Sequence, residues 1–335
     1  MPAPALVQLE DVGRLEPVRV GVRFAETAAQ GSDAGALRLA DAPLAAGTTR
    51  AGPFALQIDF ERAPGAATGR VVLRNASLTP LRLDALVLGL RWVTPPFPLL
   101  RFLQHGWQSW SYTGARDLDE AGTPQFPSGP WLRGLHHALP EPPADRSGWH
   151  ESHLVGVVGV PPDGPACLAG VLEAGQSFGL VYLRRGEGGI AVELELCLER
   201  ILEPGESYEP EPVRLALGRD ANVLLEEFAD DLGRRAGART HAPFQAGWCT
   251  WYHFFHRIDE ATFLRNLDAL VRHRDELGVE VVQLDDGYQR AVGDWLETRS
   301  SFPSGLAALA GAIHQAGFVP GLWTAPFCVV PESRL

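Results

Sequence analysis

The chain has 335 residues, of which 45% are hydrophobic and 21% are charged. These values are ordinary for a soluble globular protein of about two domains. Its 29 Lys and Arg residues are outnumbered by 41 Asp and Glu residues, so the formal net charge is −12. This balance argues against a surface that binds nucleic acid or an anionic membrane, because both partners would repel the protein.

Cysteine usage and the N-terminal sequence indicate the cellular compartment. The four cysteines lie far apart and include no CxxC pair, which argues against a disulfide framework and against a zinc site. The N-terminal segment "MPAPALVQLE" lacks the basic and apolar regions of a signal peptide. Because no apolar run reaches about 18 residues, no membrane span is predicted. We therefore expect a cytoplasmic protein.

Residues 1–218 carry many short runs of β-forming residues separated by Gly, Pro and other turn residues. Examples are "PVRVGVRF", "FALQIDF", "LRLDALVLGLRW" and "AVELELCLER". Many short strands at this spacing predict a β-sandwich domain. A long interruption runs from Gly114 to His150, and a loop of this length is often functional or forms an interface.

Residues 219–246 are predicted to form a helical linker. In "DANVLLEEFADDLGRRAG", Val223, Leu224, Phe228 and Leu232 share one face of a helix. The polar segment "GRRAGARTHAPFQ" that follows predicts a connector.

Residues 247–335 alternate strand and helix patterns. The segments "AGWCTWYHFF", "VEVVQL" and "VPGLWTAPF" predict strands, and "DEATFLRNLDALVRHRDELG" and "SGLAALAGAIHQAG" predict the helices between them. Asp259 is the expected N-cap of the first helix, which would bury Phe263, Leu267, Leu270 and Val271. The order β-α-β-α-β predicts parallel α/β units.

Two adjacent carboxylates follow the second of these strands in "VEVVQLDDGYQ". Neighbouring side chains of a regular strand point to opposite faces, so Asp285 and Asp286 cannot share a site within the strand. If the strand ends at Leu284 and the chain turns through Gly287, both carboxylates lie at the carboxyl edge, where parallel α/β proteins bind ligands. The alternative is a simple turn, since Asp and Gly are standard turn residues.

Four of the nine tryptophans lie near these predicted strand ends, namely Trp248, Trp251, Trp295 and Trp323. An indole face packs against the C–H face of a sugar, and carboxylates accept charge-assisted hydrogen bonds from hydroxyls. The combination therefore indicates a sugar site, whereas a single Trp at a strand end is more often a core residue. The segment "QHGWQSWSY" is either an aromatic cluster at the sandwich edge or a segment that reaches the site of the neighbouring domain.

Five motifs in order resemble the family 36 glycoside hydrolases, α-galactosidases that share a clan with the raffinose and stachyose synthases. They are "HGWQSWSY", "GWCTWYHFF", "VVQLDDGYQ", "GDWLETRSSFPSGL" and "GLWTAPFCVVPESRL". The resemblance covers at least Gly106 to Leu335. It implies a multidomain β plus α/β fold, in which an N-terminal β-supersandwich precedes a catalytic (β/α)₈ TIM barrel. Residues 247–335 would supply about three βα units of that barrel.

The resemblance also implies roles for individual residues. Asp285 and Asp286 match the acidic pair that binds the O4 and O6 hydroxyls of galactose, and Trp248 and Trp323 match residues that line the galactose pocket. Trp110 and Trp251 are further candidates for substrate contact. No metal or organic cofactor is implied. Tyr288 stands where many members have Trp, which leaves the preferred substrate length open.

The resemblance assigns no residue of this chain to the chemical step. A complete barrel takes roughly 250 residues, and the family's nucleophile and acid/base follow later strands, so both are expected beyond Leu335. Asp285 and Asp286 are adjacent on one turn and cannot easily flank a glycosidic bond from opposite faces. Asp294 and Glu332 match no catalytic position and are predicted to be structural. We therefore expect a truncated front part of an enzyme that is inactive alone.

Three functions stay open at this point. The first is retaining hydrolysis of terminal α-D-galactosides such as melibiose or raffinose by the intact enzyme. The second is galactosyl transfer of the raffinose-synthase type, and the third is carbohydrate binding without catalysis. The family also implies a homo-oligomer for the full-length protein.

Overall fold

The computed structural model describes residues 4–26, 37–107, 111–120, 149–173 and 175–335. The chain divides into two compact units, Met1–Ala238 and Arg239–Leu335. The sequence-based boundaries at residues 218/219 and 246/247 stay a prediction. No helix among the described residues is long and apolar enough to cross a membrane.

The first unit is built from antiparallel β-strands. Its strands are β1 (Val7–Leu9), β2 (Gly13–Glu26), β3 (Arg38–Ala42), β4 (Gly47–Ala51), β5 (Phe54–Ala63), β6 (Ala66–Asn75), β7 (Leu81–Val93), β8 (Arg101–Gln104), β9 (Gly114–Asp117), β10 (His150–His153), β11 (Val155–Gly159), β12 (Ala166–Val171), β13 (Phe178–Gly186), β14 (Gly189–Leu202), β15 (Ser207–Tyr208) and β16 (Val213–Gly218). Within the described ranges, one sheet has the order β1-β2-β7-β14-β13-β10, with β3 beside β2. The other has the order β4-β5-β6-β16-β12-β11-β8-β9, with β15 beside β6.

The inner faces of both sheets form one hydrophobic core, as the alternation in the sequence predicts. In β5, Phe54, Leu56 and Ile58 are fully buried, and they pack in one cluster with Leu86 and Leu88 of β7 from the other sheet. Side chains of a strand alternate between its faces, so period-two apolar residues supply a continuous layer. The predicted β-sandwich is thereby confirmed. Of the predicted interruption, residues 114–117 form β9, and residues 121–148 lie outside the described residues.

A helix at the end of the first unit packs against the second of its two sheets. Helix α1 (Ala221–Ala236) begins after Asp220, whose side chain accepts a hydrogen bond from Asn222 N at 2.7 Å, and it ends at Gly237 in the left-handed conformation. Leu224 and Phe228 are buried as predicted. Val223 is 48% exposed, which corrects the predicted face. The helical period puts Leu224 and Phe228, four residues apart, above each other and turns Val223 away.

The second unit is a parallel three-stranded sheet with helices. Its strands are β17 (Gly247–Cys249), β18 (Val281–Leu284) and β19 (Val319–Leu322), in that order, and its helices are α2 (Trp251–Phe254), α3 (Glu260–Arg272), α4 (Arg274–Leu277) and α5 (Gly305–Gln315). The predicted β-α-β-α-β order is confirmed. The first predicted strand is shorter than expected, because "WYHF" forms α2 instead of continuing β17.

Helix α3 packs on the sheet as its sequence predicts. Asp259 caps it, accepting from Thr262 N at 2.7 Å. Phe263, Leu267 and Leu270 are buried, and they share a cluster with strand residues such as Val282 and Leu284. Val271 is exposed, contrary to the prediction. Packing in this cluster holds the helix against the strands and so positions the edge at which the strands end.

Candidate functional site

The three parallel strands end at one edge of the sheet. Their register pairs Cys249 with Gln283 and Leu284 with Leu322. Beyond the strands, Thr250 N donates to Gln283 O at 3.3 Å and Trp323 N donates to Leu284 O at 3.0 Å. Residues directly after the strands are thus held beside one another at the carboxyl edge, where the sequence analysis expects a ligand site.

Asp285 is the better buried member of the acidic pair, with 7% of its surface exposed. Its Oδ2 accepts hydrogen bonds from Gln283 Nε2 at 2.7 Å and from the Cys249 thiol at 3.4 Å. Its backbone N–H donates to Thr250 Oγ1 at 2.9 Å. Two neutral side chains from two strand ends therefore bind this carboxylate, and Thr250 fixes the backbone that carries it.

Asp286 is oriented by contacts on both of its carboxylate oxygens. Oδ1 accepts from Gln289 Nε2 at 2.5 Å, and Oδ2 lies 3.4 Å from His256 Nδ1. The backbone N–H of Asp286 donates to Oδ1 of Asp285 at 2.8 Å. The pair is thus a connected network and not two independent surface acids.

The turn after the pair has the geometry that the sequence analysis requires. Strand β18 ends at Leu284, and Gly287 has φ +113°. The Gln289 side chain spans the turn, accepting from Gly287 N at 3.0 Å while its amide binds Asp286. A glycine takes this backbone conformation at little cost, and the turn brings both carboxylates to one edge.

The pair retains free capacity to accept hydrogen bonds. An ionised carboxylate has about four acceptor positions, and the contacts above take three at Asp285 and two at Asp286. A ligand that carries two neighbouring hydroxyl groups can donate one hydrogen bond to each carboxylate. A polyol has this chemistry, whereas an anion would be repelled.

A strained segment lies against the turn. Phe255 has φ 49° and ψ −136°, a conformation that non-glycine residues rarely adopt. The Arg299 guanidinium holds the segment in place, donating to His256 O at 2.7 Å and to Ile258 O at 2.6 Å. A Cβ atom on Gly287 would lie only 2.9 Å from His256 Cα, so the two backbones pack in direct contact.

Tyr288 contacts the backbone of two of the tryptophans near the strand ends. It is fully buried, and its hydroxyl donates toward the backbone oxygens of Trp323 and Trp295 at 3.3 and 3.4 Å. Burial, together with the negative charge of Asp286, raises the pKa of Tyr288 to about 12. The rings of Trp295 and Trp323 lie edge to face, with their centroids 5.8 Å apart. Trp323 therefore follows its strand at the same edge as the acidic pair.

The structure places the other predicted tryptophans differently. Trp248 packs against the hydrophobic cluster, with its ring centroid 6.3 Å from that of Phe263. Trp251 opens α2, and its ring lies 5.1 Å from the ring of His256, which contacts Asp286. Trp110 lies outside the described residues. The substrate contacts expected of these three tryptophans and of Trp323 stay predictions.

Asp294 ties two loops of the second unit together. Its Oδ1 accepts from Ser333 Oγ and from Arg334 N, each at 2.9 Å, and its Oδ2 contacts the Arg290 guanidinium. Burial alone would raise the pKa of Asp294, but these hydrogen bonds and the Arg290 charge lower it below its ordinary value. The backbone oxygen of Glu332 accepts from Arg290 at 3.2 Å.

Sequence reasoning missed the residues that hold the acidic pair. They are Cys249, Thr250, His256, Gln283 and Gln289. Gln283 and Gln289 flank the pair in sequence, and polar side chains next to a carboxylate pair are a usable signal. Among the residues that the structure describes, no group of three or more His, Cys, Asp or Glu side chains has the arrangement of a metal site.

Comparison with known proteins finds similarity over part of the chain. A family model described as Melibiase matches residues 250–335. The α-galactosidase AgaA of Geobacillus stearothermophilus is 30% identical over 147 residues, which are 40% of this chain and 19% of that protein. An α-galactosidase of Oryza sativa subsp. japonica is 36% identical over 116 residues, which are 33% of this chain and 26% of that protein.

Solved structures match nearly the whole chain in fold. A variant of AgaA in complex with 1-deoxygalactonojirimycin has a TM-score of 0.56 at 15% identity, covering 98% of this chain and 46% of that one. The α-galactosidase of Lactobacillus brevis has a TM-score of 0.56 at 15% identity, covering 96% and 44%. The chain thus spans less than half of these proteins. The predicted fold, a β-sandwich followed by part of a barrel, is confirmed.

Proposed function

Residues 250–335 carry the melibiase family pattern, and on this premise we propose that the protein recognises the terminal galactose of α-galactosides as part of a retaining α-galactosidase. The single observation that carries the proposal is the acidic pair at the carboxyl edge, held by neutral donors with acceptor positions to spare. The relatives that match over part of the chain are α-galactosidases, which supports the same activity.

The geometry supports a division of roles in this proposed site. Asp285 and Asp286 accept hydrogen bonds from two neighbouring hydroxyls of galactose, and Trp323 offers an apolar surface beside them. The proposed substrates are oligosaccharides of the raffinose type, since structures of a related enzyme contain raffinose and stachyose. Retaining hydrolysis needs two further carboxyl groups about 5 to 5.5 Å apart, and no residue of this chain is proposed for them.

The test compares the 335-residue chain with a version extended by the sequence encoded after Leu335. Calorimetry measures the binding of galactose and of glucose, its C4 epimer, and hydrolysis of p-nitrophenyl α-galactoside measures activity. We expect the extended protein to prefer galactose and to hydrolyse the substrate, and the 335-residue chain to be inactive. Hydrolysis by the 335-residue chain would contradict the assignment of Asp285 and Asp286 to binding. Galactose binding without hydrolysis in either protein would favour a carbohydrate-binding function.

A further inference from the structure

We propose that His256 is a positioning residue for galactose binding, and that it acts by fixing the carboxylate of Asp286. The inference rests on the proposed function, because it names a further residue of the same site. Its starting observation is the 3.4 Å separation between His256 Nδ1 and Asp286 Oδ2. The other oxygen, Oδ1, accepts a hydrogen bond from Gln289 Nε2, so both carboxylate oxygens have a partner.

The backbone at His256 is held by its neighbours. Phe255 takes its strained conformation immediately before His256, and Arg299 binds the backbone oxygen of His256 itself. The backbone of Gly287 packs against His256 Cα from the other side. Strain of this kind persists only where the surroundings enforce it, and it concentrates at functional sites.

The electrostatic contribution of His256 is distinct from that of the other partners. The hydrogen-bonding partners of Asp285 are the neutral groups of Gln283, Cys249 and Asp286 N. Within the part of the chain that the structure describes, His256 is the partner of the acidic pair that can carry a positive charge. A protonated imidazole lowers the cost of holding two carboxylates side by side, and Nδ1 is the ring nitrogen that faces Asp286.

The exposure of His256 and Asp286 indicates how much their contact contributes to the stability of the fold. The His256 side chain is 65% exposed and that of Asp286 is 15% exposed. An ion pair at this exposure contributes little to the free energy of unfolding. Removing the imidazole should therefore leave the fold intact, so that a change in ligand affinity can be measured on a folded variant.

The first experiment measures galactose affinity and thermal unfolding of His256→Ala and His256→Asn, in the 335-residue chain and in its extended form. The Asn side-chain N–H can take the place of Nδ1. We expect roughly three- to tenfold weaker binding for His256→Ala, recovery of part of that loss in His256→Asn, which keeps a donor but no charge, and unchanged unfolding temperatures. The matched control is His253→Ala, an exposed histidine of α2, which should bind galactose like the wild type.

Affinity for galactose that is unchanged in His256→Ala would overturn the inference and leave the proposed function standing. Failure of the wild type to bind galactose in either form would overturn the proposed function and the role of His256 together. The second experiment records the imidazole ¹⁵N spectrum, in which the His256 signal is the one missing from His256→Asn. We expect a fixed Nδ1–H state in the wild type and its loss in Asp286→Ala; an unchanged signal would show that the two groups do not interact.

Discussion

The backbone N–H of Asp286 donates a hydrogen bond to Oδ1 of Asp285 at 2.8 Å, so a direct hydrogen bond links the two neighbouring acids. The N–H dipole lies between two negative charges and reduces their repulsion. The same bond orients Asp285, whose other oxygen binds Gln283 and Cys249. Asp285 is therefore the more deeply buried carboxylate at the sheet edge, and Asp286 is partly exposed beside it.

This difference predicts unequal effects of removing each charge. Asp285→Asn replaces an acceptor oxygen by an amide NH₂ that faces donors, and it should lower the free energy of unfolding by about 1–3 kcal/mol, the usual cost of an unsatisfied buried polar group. Asp286→Asn should cost much less, because Asp286 is more exposed. Both variants should lose most galactose affinity. Denaturant unfolding and calorimetry measure the two quantities.

The pair of variants serves as its own control, since the chemical change is identical at adjacent positions. Equal losses of stability would contradict the buried network described for Asp285. Retained galactose affinity in both would remove the acidic pair from the proposed site.

The sequence predicts the position of the acidic pair because a general rule applies to it. In parallel α/β units ligands gather at the carboxyl ends of strands, and "VVQLDDG" marks such an end by an apolar run, two acids and a glycine. Strand and helix order followed from periodicity in the same way. Asp259 as the N-cap of α3 is a local pattern, and the structure has it.

The sequence does not predict features that depend on distant partners. The segment "WCTWYHFF" has the composition of a strand, yet β17 ends at Cys249 and Trp251–Phe254 form α2. The contact of His256 with Asp286 joins residues that lie on separate elements, and no local period records it. Likewise, Val223 and Val271 were assigned to buried faces that the actual packing leaves exposed.

The backbones of Gly287 and His256 lie so close together that adding a methyl group at Gly287 should lower both the stability of the protein and its affinity for galactose. In Gly287→Ala the new Cβ would meet His256 Cα at 2.9 Å, in a backbone conformation with φ +113°. We expect a loss of about 1–3 kcal/mol in the free energy of unfolding and weaker galactose binding, because His256 and the Asp286 turn must separate. Denaturant unfolding and calorimetry measure these changes.

Gly278→Ala is the matched control for this variant. Gly278 also has positive φ, +59°, but no atom lies within 4 Å of its added Cβ. It should therefore show only the backbone cost of the left-handed conformation, roughly 1–2 kcal/mol, with galactose affinity unchanged. Equal effects of the two substitutions on affinity would argue that contact between the turn and His256 is unimportant for the site.

The lowered pKa of Asp294 predicts an acid-dependent contribution to stability. Burial opposes ionisation of Asp294, yet the hydrogen bonds from Arg334 N and Ser333 Oγ and the charge of Arg290 outweigh it. A carboxyl whose pKa is lower in the folded state stabilises that state above its unfolded-state pKa, about 3.9. The contribution is lost as the pH falls through the lower, folded-state value.

We therefore expect Asp294→Asn to lower the unfolding temperature by several degrees near neutral pH, because the amide neither carries the charge nor accepts all three bonds. The difference from the wild type should stay constant down to about pH 4 and shrink below it, as the wild-type carboxyl becomes protonated. Thermal unfolding followed by circular dichroism across this range provides the measurement. Asp268→Asn, at an exposed position of α3, should show neither effect. A difference that persists undiminished in acid would mean that the loss comes from altered packing and not from the charge of Asp294.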